Sequence, residues 1–429
     1  MRVVHLASLD VTGGAARAAY RLHQGLIRLG IKSRMYTRSK ESSDPFVVPF
    51  QPSLADRLRR RLLVWGLERR FASYLPTQSP NCEYFSLTRP VLGRTVARSL
   101  PHTDVIQIHW TAGLLDYRRF FKRIPKELPV VMTLHDMNHF TGGCHYDLGC
   151  GRFTDRCGAC PLLGSQYEND PSRVVWRDKN ESYGYRSALN FRIVADSHWM
   201  AGEARRSALL GRFRVETIHY GLDETVFRPI DRQAARKVLN LPDHSRVILF
   251  VADSIANPRK GFDHLLRTLD RFPADRDILL LSVGNSDAAS LPKHLRAVHL
   301  GHLNDDLLIA AAYSAANVFV IPSMQEAFGQ TALEAVACGT PVAGFQAGGI
   351  PDIVRDGVNG RLVPVGDHEA LYTVIAEILG DADLAARMSA AGRKLVTTQF
   401  TLDCQARNYI RLYEEMLADL KAPEAPVLK

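Results

Sequence analysis

The stretch NVFVIPSMQEAFGQTALE, residues 317–334, decides the fold. Its opening run, residues 317–322, is apolar after Asn317 and closed by Pro322, which suits a strand buried on both faces. A polar loop follows, and after Gly329 the residues take helical spacing. Strand, loop and helix in that order form part of a βαβ unit, and such units build parallel sheets with helices on both faces. Two carboxylates mark the connection. Glu326 lies in the loop at the carboxyl end of the strand, where open α/β sheets bind ligands. Glu334 lies about a turn into the helix, placed to accept hydrogen bonds from vicinal hydroxyls, as acidic residues do for ribose. The amides around Phe328, Gly329 and Gln330 can face phosphate or sugar. A pair of carboxylates also suits a glycosidase, but one on a loop and one on the helix beyond it need not flank a single bond.

The same alternation extends in both directions. Strand candidates, several of them apolar throughout, occupy 246–252, 277–283, 297–300 and 341–345 in the second half, and 2–8, 33–38, 104–110, 129–135, 191–196 and 215–219 in the first. Helical spacing fills 15–29, 305–316, 330–338 and 367–380 among others. The pattern restarts near residue 246, after Pro229 and the Leu241-Pro242-Asp243 passage. This predicts two doubly wound, Rossmann-like parallel-sheet domains: 1–225, carrying a cysteine-rich insertion at about 140–165, and 226–400. The amphipathic segment and tail over 401–429 are expected to return to the first domain.

Of 429 residues, 46% are hydrophobic and 23% charged, as in globular chains. No apolar run reaches the roughly 18 residues of a spanning helix. The N-terminus enters a strand without the pattern of a signal peptide, so a cytoplasmic location is expected. The net charge of +9 is unevenly placed: residues 1–225 hold 33 Lys+Arg against 21 Asp+Glu (+12), and 226–429 hold 21 against 24 (−3). The basic half favours an anionic partner. Arg57 to Phe71, rich in Arg with Leu and Trp, suits peripheral contact with an anionic membrane at its cytoplasmic face; the alternative is a surface helix packed on the core. No nucleic-acid motif appears, and none is expected as a partner.

Two further loops follow apolar strands. In the first, Asp10 to Arg17, Gly13 and Gly14 let backbone amides approach a phosphate at a helix N-terminus. In the second, Asn257 to Asp263, Arg259 and Lys260 can hold a diphosphate and neutralise a departing nucleotide.

Taken in order, these motifs resemble glycosyltransferase family 4. Glu326 and Glu334 match its E-x7-E pattern, Lys260-Gly261 its Lys-Gly, and Gly13-Gly14 its early glycine loop. His219-Tyr220-Gly221-Leu222-Asp223, Ala347 to Asp352 and Gly357 to Gly360 also fit. The resemblance implies the GT-B fold, two facing Rossmann-like domains with an interdomain cleft. It implies retaining transfer of a hexose-type sugar from a UDP- or GDP-sugar to a glycan or lipid-linked acceptor, in bacterial surface polysaccharide synthesis, without a catalytic metal. By position, Lys260 would bind the diphosphate, Glu334 the ribose and Glu326 the transferred sugar. Gly13 and Gly14 would face donor phosphate or acceptor, and His135 would be the active-site histidine. The family usually carries an Arg several residues before the Lys; here Asp253-Ser254-Ile255-Ala256 stands there, and Arg259 is the substitute. Alternatives are another GT-B enzyme, a phosphorylase or sugar-nucleotide epimerase, or a non-catalytic basic binding module.

Four of the seven cysteines, Cys144, Cys150, Cys157 and Cys160, fall within 17 residues. Four thiolates held by turns can close a tetrahedral structural zinc site. Only Cys157-x2-Cys160 has typical ligand spacing, and reduced thiols in a glycine-rich insertion are the alternative. His109, ending the strand 104–110, competes with His135 for the cleft, with a packing role as its alternative. His139 and His145 lie near the cysteines.

Overall fold

The computed structural model describes residues 1–51, 84–90, 96–273, 277–285 and 296–421. The basic stretch 57–71 lies outside them. The chain divides into two compact units, Met1–His219 with Leu402–Lys429, and Tyr220–Thr401.

The first unit holds strands β1 (Arg2–Ala7), β2 (Lys32–Thr37), β3 (Val47–Pro49), β4 (Val105–Ile108), β5 (Val130–Leu134), β6 (Phe191–Ala195) and β7 (Arg214–Thr217). They form one sheet in the order β3-β2-β1-β4-β5-β6-β7, every pair parallel. The central strands β4, β5 and β6 are buried along their whole length, which is why they read as mostly apolar runs, each with one polar residue: Gln107, Thr133 and Arg192. β3 has no counterpart in the sequence reading. It is three residues at the sheet edge ending in Pro49, too short to leave a periodic signal.

The helix Leu402–Asp419 completes this unit. Tyr409, Leu412, Tyr413 and Met416 pack against Val3, Leu22, Leu26 and Val131. A Cβ on Gly25 would stand 3.0 Å from the Leu402 carbonyl oxygen and 3.2 Å from the Ala406 Cβ, so the absence of a side chain lets the two helices approach. Two tyrosine hydroxyls then reach polar groups buried in the sheet. Tyr413 donates to Gln107 Oε1 at 2.8 Å, Gln107 Nε2 donates to Thr133 Oγ1 at 2.7 Å, and Tyr409 meets Thr133 Oγ1 at 2.7 Å. Each buried polar atom gains a partner that the apolar core could not supply.

The second unit holds β8 (Arg246–Ser254), β9 (Ile278–Asn285), β10 (Ala297–His299), β11 (Val318–Ile321), β12 (Val342–Phe345) and β13 (Gly360–Val363), in the parallel order β10-β9-β8-β11-β12-β13. Helices Phe262–Leu269, Asp306–Ala315, Gln330–Ala337, His368–Gly380 and Ala382–Gln399 are the α elements of the alternation. β13 was also absent from the sequence reading; it is a four-residue edge strand with only two apolar side chains. Among the described residues, no helix is long and apolar enough to cross a membrane.

Candidate functional site

In the second unit the strand order reverses between β8 and β11, since β9 and β10 lie to one side and β12 and β13 to the other. Crevices at the carboxyl ends of strands at such a reversal are where open α/β sheets bind ligands. The two motif loops leave these two strands. Asn257 accepts from the Arg259 amide at 3.0 Å and starts a single turn over Pro258–Lys260. Gly261 ends it at φ +74°, and a Cβ there would lie 1.8 Å from the Pro322 carbonyl oxygen, so only glycine seats this turn on the end of β11. The Met324 amide donates to the Arg259 carbonyl at 2.8 Å, and Arg259 Nη1 donates to the Gln325 carbonyl at 2.8 Å.

That lacing brings the predicted residues Arg259, Lys260 and Glu326 together. Lys260 Nζ donates to Glu326 Oε2 at 2.7 Å, Arg259 Nη1 lies 3.7 Å from the same oxygen, and Ser323 Oγ donates to it at 3.4 Å. Burial on its own would raise the Glu326 carboxyl, but the Lys260 and Arg259 charges overcome it and hold the group below the ordinary carboxylate range. Glu326 is thus a fixed anion. Its backbone is fixed as well: Gly349 donates to its carbonyl at 2.9 Å, and a Cβ on Gly348 would strike that carbonyl at 1.9 Å. An ammonium has three N–H donors, so Lys260 can hold Glu326 and still reach a phosphate oxygen.

Gly329, at φ +99°, precedes the helix Gln330–Ala337, and Glu334 lies on its second turn. Glu334 is buried and accepts from Tyr313 Oη at 3.2 Å. The Phe328 ring is buried edge-on against Tyr220, 5.0 Å between centroids. Its side chain therefore belongs to the core, which leaves Phe328 its backbone for any ligand.

In the first unit, Gly13 takes φ +85° and Gly14 opens the helix Gly14–Arg28 at the end of β1. No side chain caps that helix. His135 follows β5, and its Nε2 lies 2.9 Å from His109 Nδ1; His109 Nε2 lies 2.9 Å from His5 Nδ1 in β1. Three adjacent strands thus contribute one hydrogen-bonded row of imidazoles. Burial pushes His135 down to about 3, His23 and His139 to about 4, and His5 and His109 well below the ordinary histidine range. All five are neutral near pH 7. Beside the row, His145 Nδ1 donates to Asp136 Oδ2 at 2.6 Å and its Nε2 meets Ser86 Oγ at 2.8 Å. His139 bonds Tyr117 Oη and the His109 carbonyl, both at 2.9 Å. The sequence reading proposed His135 and weighed His109, but missed His5. The signal was a lone polar residue inside the apolar run of β1.

Cys144, Cys150, Cys157 and Cys160 line one pocket, together with Phe85, Phe153 and Arg152. All four are free thiols; Cys157 and Cys160 are buried and Cys150 is exposed. The Gly142 amide donates to Cys157 Sγ at 3.0 Å. Among the described residues, no three of these sulfurs are drawn together tightly enough to hold an ion as they stand. The buried Lys179 ammonium lies nearby, donating to the Asn138 and Thr141 carbonyls.

A family model described as glycosyl transferases group 1 matches residues 231–395. Across 440 aligned residues the chain is 30% identical to D-inositol 3-phosphate glycosyltransferase 2 of Catenulispora acidiphila, covering 98% of this chain and 94% of that one. It is 28% identical over 412 residues to the D-inositol 3-phosphate glycosyltransferase of Mycolicibacterium smegmatis, covering 93% and 86%. Among solved structures it resembles Anabaena HepE in complex with UDP-glucose, with a TM-score of 0.66 at 16% identity over 96% of this chain and 99% of that one. It also resembles sucrose-phosphate synthase from Thermosynechococcus elongatus, with a TM-score of 0.65 at 22% identity over 97% and 100%.

Proposed function

The chain belongs to the group 1 glycosyltransferases, glycosyltransferase family 4 with the GT-B fold, and on that premise we propose that it is a retaining hexosyltransferase using a UDP- or GDP-sugar. The observation that carries this reading is the Lys260–Glu326 pair at 2.7 Å, laced to the carboxyl ends of β8 and β11. Lys260 and Arg259 take the donor diphosphate and offset the charge that grows on it as the glycosidic bond breaks. Glu334 accepts from the ribose hydroxyls, and Glu326, held ionised, accepts from hydroxyls of the transferred sugar. The amides of Phe328, Gly329 and Gln330 face phosphate or sugar. In the first unit, the Gly13-Gly14 loop serves phosphate and His135 serves the reacting sugar. UDP-glucose is bound by the similar HepE, which supports a uridine nucleotide as the first donor to try.

For the acceptor we propose a glycan or lipid-linked sugar of surface polysaccharide synthesis. The relatives named for inositol 3-phosphate supply a second reading, and the +12 charge of residues 1–225 suits an anionic acceptor of either kind. The assay is transfer from UDP-glucose, UDP-galactose and GDP-mannose to inositol 3-phosphate and to lipid-diphosphate sugars, with the anomeric configuration of the product read by proton NMR. Product with the donor's anomeric configuration supports the proposal; inverted product, or donor consumption with phosphate as acceptor, contradicts it. Peripheral contact with the cytoplasmic face of an anionic membrane through residues 57–71 belongs to the same proposal. Equal sedimentation with anionic and neutral liposomes would sink that part.

We also propose that Cys144, Cys150, Cys157 and Cys160 hold a structural zinc. Their shared pocket supports it, as does the Gly142 amide donated to Cys157, since thiolate ligands are oriented by such outer contacts. The buried Lys179 ammonium offsets the net negative charge that four thiolates leave around a zinc ion. Closing the site requires the exposed turn at Cys150 to move inward; Leu148, Gly149 and Gly151 give it left-handed backbone. Elemental analysis after dialysis against a weak chelator is expected to find about one zinc per chain. A folded, metal-free protein with four reactive thiols contradicts it.

A further inference from the structure

The row of imidazoles constrains the chemistry open to His135. His5 lies in β1, and His109 and His135 directly follow the adjacent strands β4 and β5; they are 0%, 1% and 8% exposed, so only the last approaches solvent. The groups facing them are also fixed. Asp136 and His139 adjoin His135, while His23 and His139 adjoin His5 and His109. Asp136 is engaged by His145 and by the Asn138 amide at 2.8 Å.

Each neutral imidazole carries one N–H and one bare nitrogen. Two links join three rings, so the hydrogens must all point the same way along the row, and only two arrangements exist. In one, His5 Nδ1–H donates to His109 Nε2, His109 Nδ1–H donates to His135 Nε2, and His135 keeps its proton on Nδ1. In the other, every bond reverses. His135 then carries its proton on Nε2, and His5 must bury an Nε2–H. His5 Nε2 has no hydrogen-bond partner. A buried N–H without an acceptor is the rarer and costlier defect, compared with a bare acceptor nitrogen. The first arrangement is therefore favoured.

We propose that His109 and His5 are positioning residues that lock His135 as its Nδ1–H tautomer, making His135 a hydrogen-bond donor to the reacting sugar and not a base. The second half of this statement rests on the assignment of His135 to the transfer reaction; the tautomer itself does not. Donation to a sugar hydroxyl or ring oxygen moves no net charge, so no proton needs to leave the buried row.

The test reads the tautomer directly. Protein labelled with 15N histidine is observed by long-range proton–nitrogen correlation without any donor, with the His135 signals assigned by their loss in His135→Gln. Expected is an Nδ1–H pattern that does not titrate between pH 8 and pH 6. In His109→Phe the Nε2–H form or a titrating ring should appear at His135. In His109→Asn the side-chain amide stands where Nδ1 stood and restores the wild-type pattern, an outcome that packing alone does not predict. A wild-type His135 in the Nε2–H form, or one that titrates, overturns the proposal even if His109→Phe does not fold. If the tautomer is found but His109→Phe and His135→Gln transfer sugar at the wild-type rate, the assignment of His135 to the reaction fails and the locked row stands.

Discussion

Mild acid should unfold the first unit selectively. The perturbation is a shift from pH 7.5 to pH 5.5. His5, His23, His109, His135 and His139 are buried and held neutral, with His135 at about 3 and His23 and His139 at about 4. In the unfolded chain each returns to a pKa near 6.5. The unfolded state therefore binds more protons as pH falls, and stability falls with it. Over this interval each histidine that stays neutral in the fold costs about 1.4 kcal/mol, so five cost about 7 kcal/mol and three about 4 kcal/mol. Domain stability is only about 5–15 kcal/mol, so the loss is decisive. Other shifted groups do not obscure the effect. Asp136 and Glu326 lie below the ordinary carboxylate range, so the stability they contribute is lost only below about pH 4.5. Lys179, lowered to about 8 by burial, is mostly charged at pH 7.5 and almost fully so by pH 5.5, so it changes stability by only a few tenths of a kcal/mol across the window. All four tryptophans, Trp65, Trp110, Trp176 and Trp199, belong to the first unit, so fluorescence reports it alone. Urea unfolding followed by fluorescence should give a midpoint that drops steeply between the two pH values at constant slope. His109→Phe should shrink the drop by about 1.4 kcal/mol. A stability that changes by less than about 1 kcal/mol would instead mean that the histidines are hydrated or charged in the fold.

Two substitutions probe the supports of the sites. Gly261→Ala forces a side chain into left-handed backbone and against the Pro322 carbonyl; the cost should be about 3 kcal/mol or more by thermal or urea unfolding, and a loss under 1 kcal/mol would show that the loop is not seated as described. Tyr413→Phe leaves Gln107 Oε1 buried without its donor and should destabilise the first unit by about 1–3 kcal/mol by the same fluorescence assay, with an unchanged midpoint as the contrary result.

The fold was legible because parallel strands buried on both faces are largely apolar: β11 and β12 are so throughout, and β4, β5 and β6 are interrupted only by Gln107, Thr133 and Arg192. The edge strands β3 and β13 were not, since three or four half-exposed residues carry no period. Lys260 and Glu326 were legible as motif positions, 66 residues apart in sequence, but their 2.7 Å contact was not. It depends on Gly261 and Gly348 admitting two close backbone approaches that only coordinates reveal. His135 stood in a recognisable place at a strand end. Its link to His5, through His109, requires β1, β4 and β5 to be neighbours in the order that the sheet adopts, and no spacing in the sequence encodes strand order.

Lys260 and Glu334 are the residues proposed to bind the nucleotide of the donor. Calorimetric titration of UDP, UDP-glucose and GDP-mannose into the wild type, Lys260→Ala and Glu334→Ala tests this assignment, with thermal melting to confirm that each variant is folded. One preferred nucleotide is expected in the wild type, with binding weakened about 10- to 100-fold in each variant, or about 1.4–2.8 kcal/mol for a lost charge-assisted contact. Nucleotide binding of wild-type strength in both folded variants would contradict that assignment.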